Sequence, residues 1–142
     1  MSNIDPLGLA SIIASHGTLT LYSDSGQVVG TYPYTSGLNG STDYTMSGLG
    51  PIPPGGYYIL PWEISPAGFF RTWIDFRDWG DYRVTMHPNP GTDTYGRSGL
   101  FLHGGRKRPG SEGCIKVGGQ TQDDLFRYLM WEDDPVPVSV ER

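Results

Sequence analysis

Residues 18–34 read Thr-Leu-Thr-Leu-Tyr-Ser-Asp-Ser-Gly-Gln-Val-Val-Gly-Thr-Tyr-Pro-Tyr. Leu19 and Leu21 alternate with threonines, the period of a strand with one buried face. Asp24, Ser25 and Gly26 supply turn chemistry, and the β pattern resumes at Gln27, so residues 18–35 are expected to form a hairpin. The flanking sequence agrees. Pro51, Pro53 and Pro54 forbid a helix before the strand expected at 57–60. Tyr82 to Met86 and Gly99 to His103 read as strands separated by a turn-rich stretch at 88–96. Phe69 to Trp79 is aromatic-rich and reads as a strand or an irregular wall. One helix is expected: Thr121 and Asp124 make a capping-box-like start, Leu125/Leu129 and Phe126/Met130 form an i, i+4 apolar stripe, and Pro135 stops it. Val136, Val138 and Val140 alternate after it, and their prolines point to an edge strand. Strands and helices do not alternate, so the expected class is mostly β: a sandwich or cradle of short strands with one helix in the C-terminal half.

Composition narrows the function classes. The chain has 142 residues, one domain by size, enough for a hydrophobic core without staples. Ten Lys and Arg against fifteen Asp and Glu give a net charge of −5, which argues against nucleic acid as the partner. The single cysteine excludes an internal disulfide and a Cys-rich zinc site. No apolar run reaches the ~18 residues of a membrane span. Residues 7–14, LGLASIIA, have the length of a signal-peptide core, but Asp5 precedes them and no basic residue does, so no secretion signal is expected.

The chemistry concentrates in residues 98–117, SGLFLHGGRKRPGSEGCIKV. An apolar strand runs to His103, and a short basic loop returns to Cys114. Nucleophilic catalysis by cysteine needs a thiolate, an imidazole in hydrogen-bond reach, and N–H donors for the developing oxyanion. Neighbouring strands carrying His103 and Cys114 would meet that need, with Gly113 letting the Gly113 and Cys114 amides face a carbonyl oxygen. Between residues 94 and 120 five basic residues face Glu112 alone, a local +4, while the rest of the chain carries −9. A positive setting raises the thiolate fraction of a cysteine and suits a carboxylate-bearing substrate. The plainer alternative is a solvated loop tip at 106–108 and an inert buried Cys114. Arg97 and Ser98 are candidates for holding a substrate carboxylate, with an ordinary surface arginine as the alternative. His87, next to Pro88, reads as a structural or rim histidine, and His16 as solvent-facing. Trp62, Trp73, Trp79 and Trp131 read mainly as core or groove wall. No metal-ligand spacing is present, and neither metal nor organic cofactor is expected.

His103-Gly-Gly followed by Ser111-Glu-Gly-Cys-Ile resembles the signature of the L,D-transpeptidase (YkuD-type) catalytic domain. Upstream, PIPPGGYYI at 51–59 resembles that family's second hallmark, in the same order. The likeness covers roughly residues 19–117. It departs from the main bacterial pattern in a shorter His103–Cys114 gap, Glu112 where a second histidine is common, and Lys116 where Asn or Arg is common. The short gap and SEGC resemble the L,D-transpeptidase-like toxins delivered by type VI secretion. The resemblance implies Cys114 as nucleophile and His103 as base, with Gly113 and Ser111 ordering the oxyanion loop and Lys116 near substrate. It implies acyl transfer on peptidoglycan stem tetrapeptides, by L,D-carboxypeptidase action, D-amino-acid exchange or both. The group orienting His103 is expected to be a backbone carbonyl near Gly104.

Asp5-Pro-Leu-Gly-Leu9 is similar to the DPxGL sequence that ends the core of Rhs (rearrangement hotspot) repeat proteins, after which variable toxin domains begin. The resulting expectation is an Rhs-core junction and linker over residues 1–17 and a catalytic domain over 18–142. It further implies an effector acting in the periplasm of a target bacterium, with an Rhs carrier, a secretion apparatus and a cognate immunity protein as partners, and neither nucleic acid nor membrane insertion. The rival expectations are a housekeeping L,D-transpeptidase that cross-links the cell's own wall and a non-catalytic β binding module.

Overall fold

The computed structural model describes residues 9–37, 42–46, 50–66, 82–105, 111–118 and 122–141. Among them are ten strands and one α-helix. The strands are β1 (Ser11–Ser15), β2 (Thr18–Tyr22), β3 (Val28–Gly37), β4 (Gly55–Ile59), β5 (Ser65–Pro66), β6 (Tyr82–Thr85), β7 (His87–Pro88), β8 (Phe101–Gly105), β9 (Ser111–Gly118) and β10 (Val136–Val140). The helix, α1, covers Gln122–Met130, and a short 3-10 turn covers Pro61–Glu63. The expected mostly β class, with a single helix near the C-terminus, is what forms.

The strand order is β5-β6-β8-β9-β3-β2-β1-β10-β4-β7. Two segments make this order wrap round a core. β3 is long enough to pair with β2 through its first half and with β9 through its second. At the far side β6 and β7 are separated only by Met86, yet β6 pairs with β8 and β7 with β4. The chain therefore links the two ends of the order, as strands that switch sheets do at the corners of a sandwich.

The 18–35 hairpin forms as expected, antiparallel from Thr18↔Pro33 to Tyr22↔Val28. Its turn is closed by the Gly26 N–H donating to Ser23 O at 2.9 Å, with Gly26 at φ 84°. Leu19 and Leu21 are fully buried, so the period-two pattern did mark the core face. The core continues through Ile12, Ala14, Tyr57, Ile59, Val84, Leu102, Ile115, Val117 and the valines of β10. Leu125, Phe126 and Leu129 close it from α1. Asp123 and Asp124 lie in the helix's first turn, where the macrodipole favours them.

Several expectations are corrected. Residues 11–15, assigned to a linker, form β1, which pairs with both β2 and β10. Ile12 and Ala14 point inward from it, and the domain begins accordingly earlier than residue 18. His16 is exposed as expected, but it shares a two-residue turn between β1 and β2 with Gly17, both at positive φ. β10 is not an edge strand: it lies between β1 and β4. Its ladder with β1 starts at Val138, so Pro137, which cannot donate, falls outside that ladder. Met130 leaves the apolar stripe for solvent, and Trp62 and Trp131 are exposed rather than core. Residues 69–79, the 106–108 basic triplet, Thr121 and the DPLGL sequence up to Gly8 lie outside the described residues.

Candidate active site

β8 and β9 are neighbours running in parallel, with Leu102↔Ile115 and His103↔Lys116 in register. Side chains alternate across a strand. Ile115 and Val117 enter the core from β9, as Leu102 does from β8. The intervening residues, Cys114 and Lys116 on β9 and His103 on β8, therefore share the opposite face. All three are buried: 6%, 4% and 3% exposed. The sequence-based pairing of Cys114 with His103 thus becomes a shared sheet face, with both residues inside strands rather than at strand ends.

β9 is distorted where the cysteine lies. Between Thr35↔Lys116 and Gly37↔Ser111, β9 advances five residues while β3 advances two. Glu112, Gly113 and Cys114 fall within this irregular stretch, a bulge of the kind that re-aims side chains beside functional sites.

His103 is held in a defined tautomer. Its Nδ1 lies 2.7 Å from Gly104 O. A carbonyl oxygen only accepts, so Nδ1 carries the proton and Nε2 is left as the basic nitrogen. The expectation of a backbone carbonyl near Gly104 as the orienting group is met. The Cys114 thiol donates weakly to Gly99 O at 3.9 Å, which brings the 92–100 loop against the cysteine.

The face is cationic. Arg83, His103, Lys116 and Thr35 lie in register across β6, β8, β9 and β3. The Arg83 guanidinium lies over the Phe101 ring, 5.4 Å from its centroid. No cluster of His, Cys, Asp and Glu suited to a metal occurs among the described residues.

Arg97 departs from expectation. Its guanidinium is buried and donates to three main-chain carbonyls, through Nη1 to Tyr44 O and Pro51 O, both at 2.6 Å, and through Nη2 to Gly50 O at 2.9 Å. It anchors a loop instead of presenting a fork to a substrate. Ser98 is exposed. Ser111 and Gly113 contribute backbone to β9. His87 is a rim residue, as expected: its Nε2 lies 2.6 Å from Glu63 Oε1, and its ring stacks on Tyr58 at 5.0 Å.

Three supports escaped the sequence reading. Ser36 Oγ accepts from Ile52 N–H at 2.8 Å, and the Tyr57 hydroxyl donates to Pro53 O at 2.7 Å. Burial pushes the Tyr57 hydroxyl up to about 12 while Arg97 draws it down. Together with Arg97 they tie every residue from 50 to 53 into a fixed wall. The GG of PIPPGG serves the same wall: Gly55 takes φ 141°, and Thr92 Oγ1 donates to Gly56 O at 2.7 Å. Gly99 was the third miss, since its role lies in a carbonyl, for which side-chain type gives no signal.

Residues 10–138 match the family model of the L,D-transpeptidase catalytic domain, YkuD. Among solved structures, the helical cell shape determining protein Pgp2 from Campylobacter jejuni superposes with a TM-score of 0.65 at 17% identity, over 94% of this chain and 48% of that one. Its K307A mutant gives 0.64 at 18%, over 94% and 47%. An L,D-transpeptidase from Xylanimonas cellulosilytica gives 0.52 at 15%, over 93% and 60%. The chain thus spans about half the length of the Pgp2 structures. At these identities the likeness carries the fold. No curated protein sequence matches.

Proposed function

The chain belongs to the L,D-transpeptidase catalytic-domain family, and from that premise we propose that it cleaves peptidoglycan stem tetrapeptides by acyl transfer through Cys114. The observation that carries this reading is the shared face of β8 and β9, on which His103, its Nδ1 committed to Gly104 O, accompanies Cys114.

In the proposed reaction His103 Nε2 takes the Cys114 proton. The thiolate forms a bond to the carbonyl carbon that joins the diamino acid's L-centre to the terminal D-Ala. The resulting oxyanion is met by the Gly113 and Cys114 amides, which the bulge supports as donors because the register leaves this part of β9 without a matching run of β3. The carbon–nitrogen bond breaks, and the D-Ala amine leaves with the proton from His103. Water then resolves the thioester, giving an L,D-carboxypeptidase, or a D-amino acid does, giving exchange. Lys116 adds positive charge for a carboxylate-bearing stem peptide. No step calls on a metal or cofactor.

The biological setting we propose is that of an antibacterial effector. Its supports are the DPLGL sequence, similar to an Rhs-core terminus, and the short His103–Cys114 gap with SEGC. On this reading the domain is released from an Rhs carrier, delivered by a secretion apparatus, and neutralised in the producer by an immunity protein. Mass spectrometry of purified muropeptides after incubation tests the chemistry: tetrapeptide stems should lose or exchange their terminal D-Ala. Expression with a Sec signal should cause swelling or lysis that Cys114→Ala abolishes, while cytoplasmic expression should be nearly harmless. Equal toxicity in both compartments with unchanged muropeptides would overturn the substrate assignment.

A further inference from the structure

We propose that Arg83 reads the free end of the substrate: its guanidinium holds the carboxylate of the terminal D-residue while Cys114 attacks the carbonyl that precedes it. The proposal rests on the reading of this face as the place where a stem peptide is cleaved through Cys114.

The first argument is the face. Arg83 is the register partner of His103, and partners across a ladder project to the same side. Its neighbour Val84 is buried in the core, so Arg83 lies on the opposite face, the one His103 shares with Cys114. It is half-buried there rather than spread in solvent.

The second argument is a series of contacts from the guanidinium to the sulfur. Arg83 Cζ lies 5.4 Å from the centroid of the Phe101 ring. The ring comes within 3.8 Å of the place that a Cβ on Gly99 would take. Gly99 O in turn lies 3.9 Å from Cys114 Sγ. Register agrees, since Leu102↔Ile115 sets Phe101 and Cys114, one residue earlier on each strand, side by side. Arg83 thus reaches from the row of His103 toward the row of Cys114, over a ring that borders the cysteine.

The third argument is reach. Only β8 separates β6 from β9, so their backbones run about 9.5 Å apart. A carbonyl carbon poised for attack lies about 3–3.5 Å from the sulfur. One residue of chain carries the terminal carboxylate about 3.5 Å further, and the bonds of an arginine fork add about 2.8 Å. A peptide laid across β8 therefore brings its carboxylate to the guanidinium as its carbonyl meets the sulfur.

The fourth argument is chemistry. A cation over a ring is held by attraction to the π face, which takes up none of a guanidinium's five N–H donors. The ring fixes where the charge sits, and the planar fork matches a carboxylate in two parallel bonds. Arg97, the carboxylate binder expected from the sequence, donates to main-chain carbonyls instead.

Two peptides that differ in one group test this: a stem tetrapeptide ending in D-alanine and the same peptide ending in D-alaninamide. Both yield one tripeptide, which mass spectrometry follows, and kcat/KM is compared in the wild type, Arg83→Gln and Arg83→Lys. The wild type should favour the acid by about 10- to 100-fold, the range of hydrogen bonds to a charged group. Arg83→Gln should remove most of that preference through loss on the acid. Arg83→Lys, with charge but no fork, should fall between. Equal rates on both peptides in the wild type, or a wild-type preference in folded Arg83→Gln, overturns the proposal. Should Arg83→Gln not fold, Arg83→Lys decides, and a wild-type preference there overturns it.

Calorimetric titration of both peptides into Cys114→Ala, with and without Arg83→Gln, separates the two readings. Binding that favours the acid through Arg83, with no tripeptide formed by the wild type, breaks the cleavage reading alone. Tripeptide formation without preference for the acid breaks this proposal alone. Neither binding nor cleavage of either peptide overturns both.

Discussion

Two regions of this molecule concentrate like charge, and they do so with opposite consequences. On the β8–β9 face, His103 and Lys116 are buried together with Cys114. Beyond the C-terminal end of α1, Glu132, Asp133 and Asp134 gather near Asp24, and burial first, then mutual repulsion, raises the Glu132 pKa. In the first region the proposed reaction supplies the opposite charge when the thiol ionises, so the basic groups become a means of activating it. In the second no partner of opposite sign is drawn in among the described residues, and the charge costs stability. Burial beside a group that can change its charge separates a reactive cluster from a solvated one.

The largest expected effect comes from removing the group that changes charge. Cys114→Ala should reduce D-Ala release by at least about 10⁴-fold, to background. The fold should survive, because the substitution removes one small buried atom from a face outside the main core. Muropeptide analysis and circular dichroism check both halves. Residual trimming would take the nucleophile elsewhere, and an unfolded variant would make the cysteine structural.

His103→Ala should cost about 10²–10⁴-fold in rate. It should leave an alkylable thiol, because Cys114 itself and the Lys116 charge on the same strand remain. His87→Ala serves as the control: with its Nε2 on Glu63 and its ring on Tyr58, it should leave the rate within about threefold, the scatter of surface substitutions. Equal damage at His87 would assign the base wrongly and remove the shared-face argument with it.

Much of this was legible because it is local. The 18–35 hairpin is written in alternating leucines and an Asp-Ser-Gly turn, and such signals act over a few residues. The Cys114–His103 pair was legible because the motif carries both residue types on successive strands. What escaped depends on distant partners. β1 holds the apolar run Ile12-Ile13-Ala14, whose alternation emerges only once β2 and β10 flank it. β10 looked like an edge because of its prolines, yet its position is set by pairing with strands more than seventy residues earlier in the chain. Arg97 read as a carboxylate binder or a surface cation because its acceptors are carbonyls 46 to 53 residues away, and carbonyls leave no mark in a sequence.

A smaller effect should follow from loosening the wall that holds Arg97. Tyr57→Phe deletes the hydroxyl that donates to Pro53 O and leaves a buried carbonyl without that donor. The expected loss is about 1–2 kcal/mol of stability, read as a lower midpoint in urea at unchanged slope. Activity at saturating substrate should stay within about threefold of the wild type, because the substitution removes no group from the face that His103 shares with Cys114. A larger activity loss in Tyr57→Phe would give the tyrosine hydroxyl a part in the site itself.

The smallest effect belongs to the acidic cluster and has the opposite sign. Burial first, then Asp24, Asp133 and Asp134, raise the Glu132 pKa above its ordinary 4.5 in the folded state. Between those two values the native chain holds more protons than the unfolded one, so stability falls as pH rises through that window. The penalty is complete above the folded pKa and absent below the unfolded one. Glu132→Gln should therefore be more stable than the wild type at pH 7, by less than about 1 kcal/mol given solvent screening. The gap should close as pH is lowered through the carboxylate range and shrink with salt, since much of it is charge repulsion. Thermal melts at pH 7 and in acid, at low and high ionic strength, provide the check. A gap that persists in acid, or that grows with salt, would mean that Glu132 acts by packing and that the acidic region is not repelling itself.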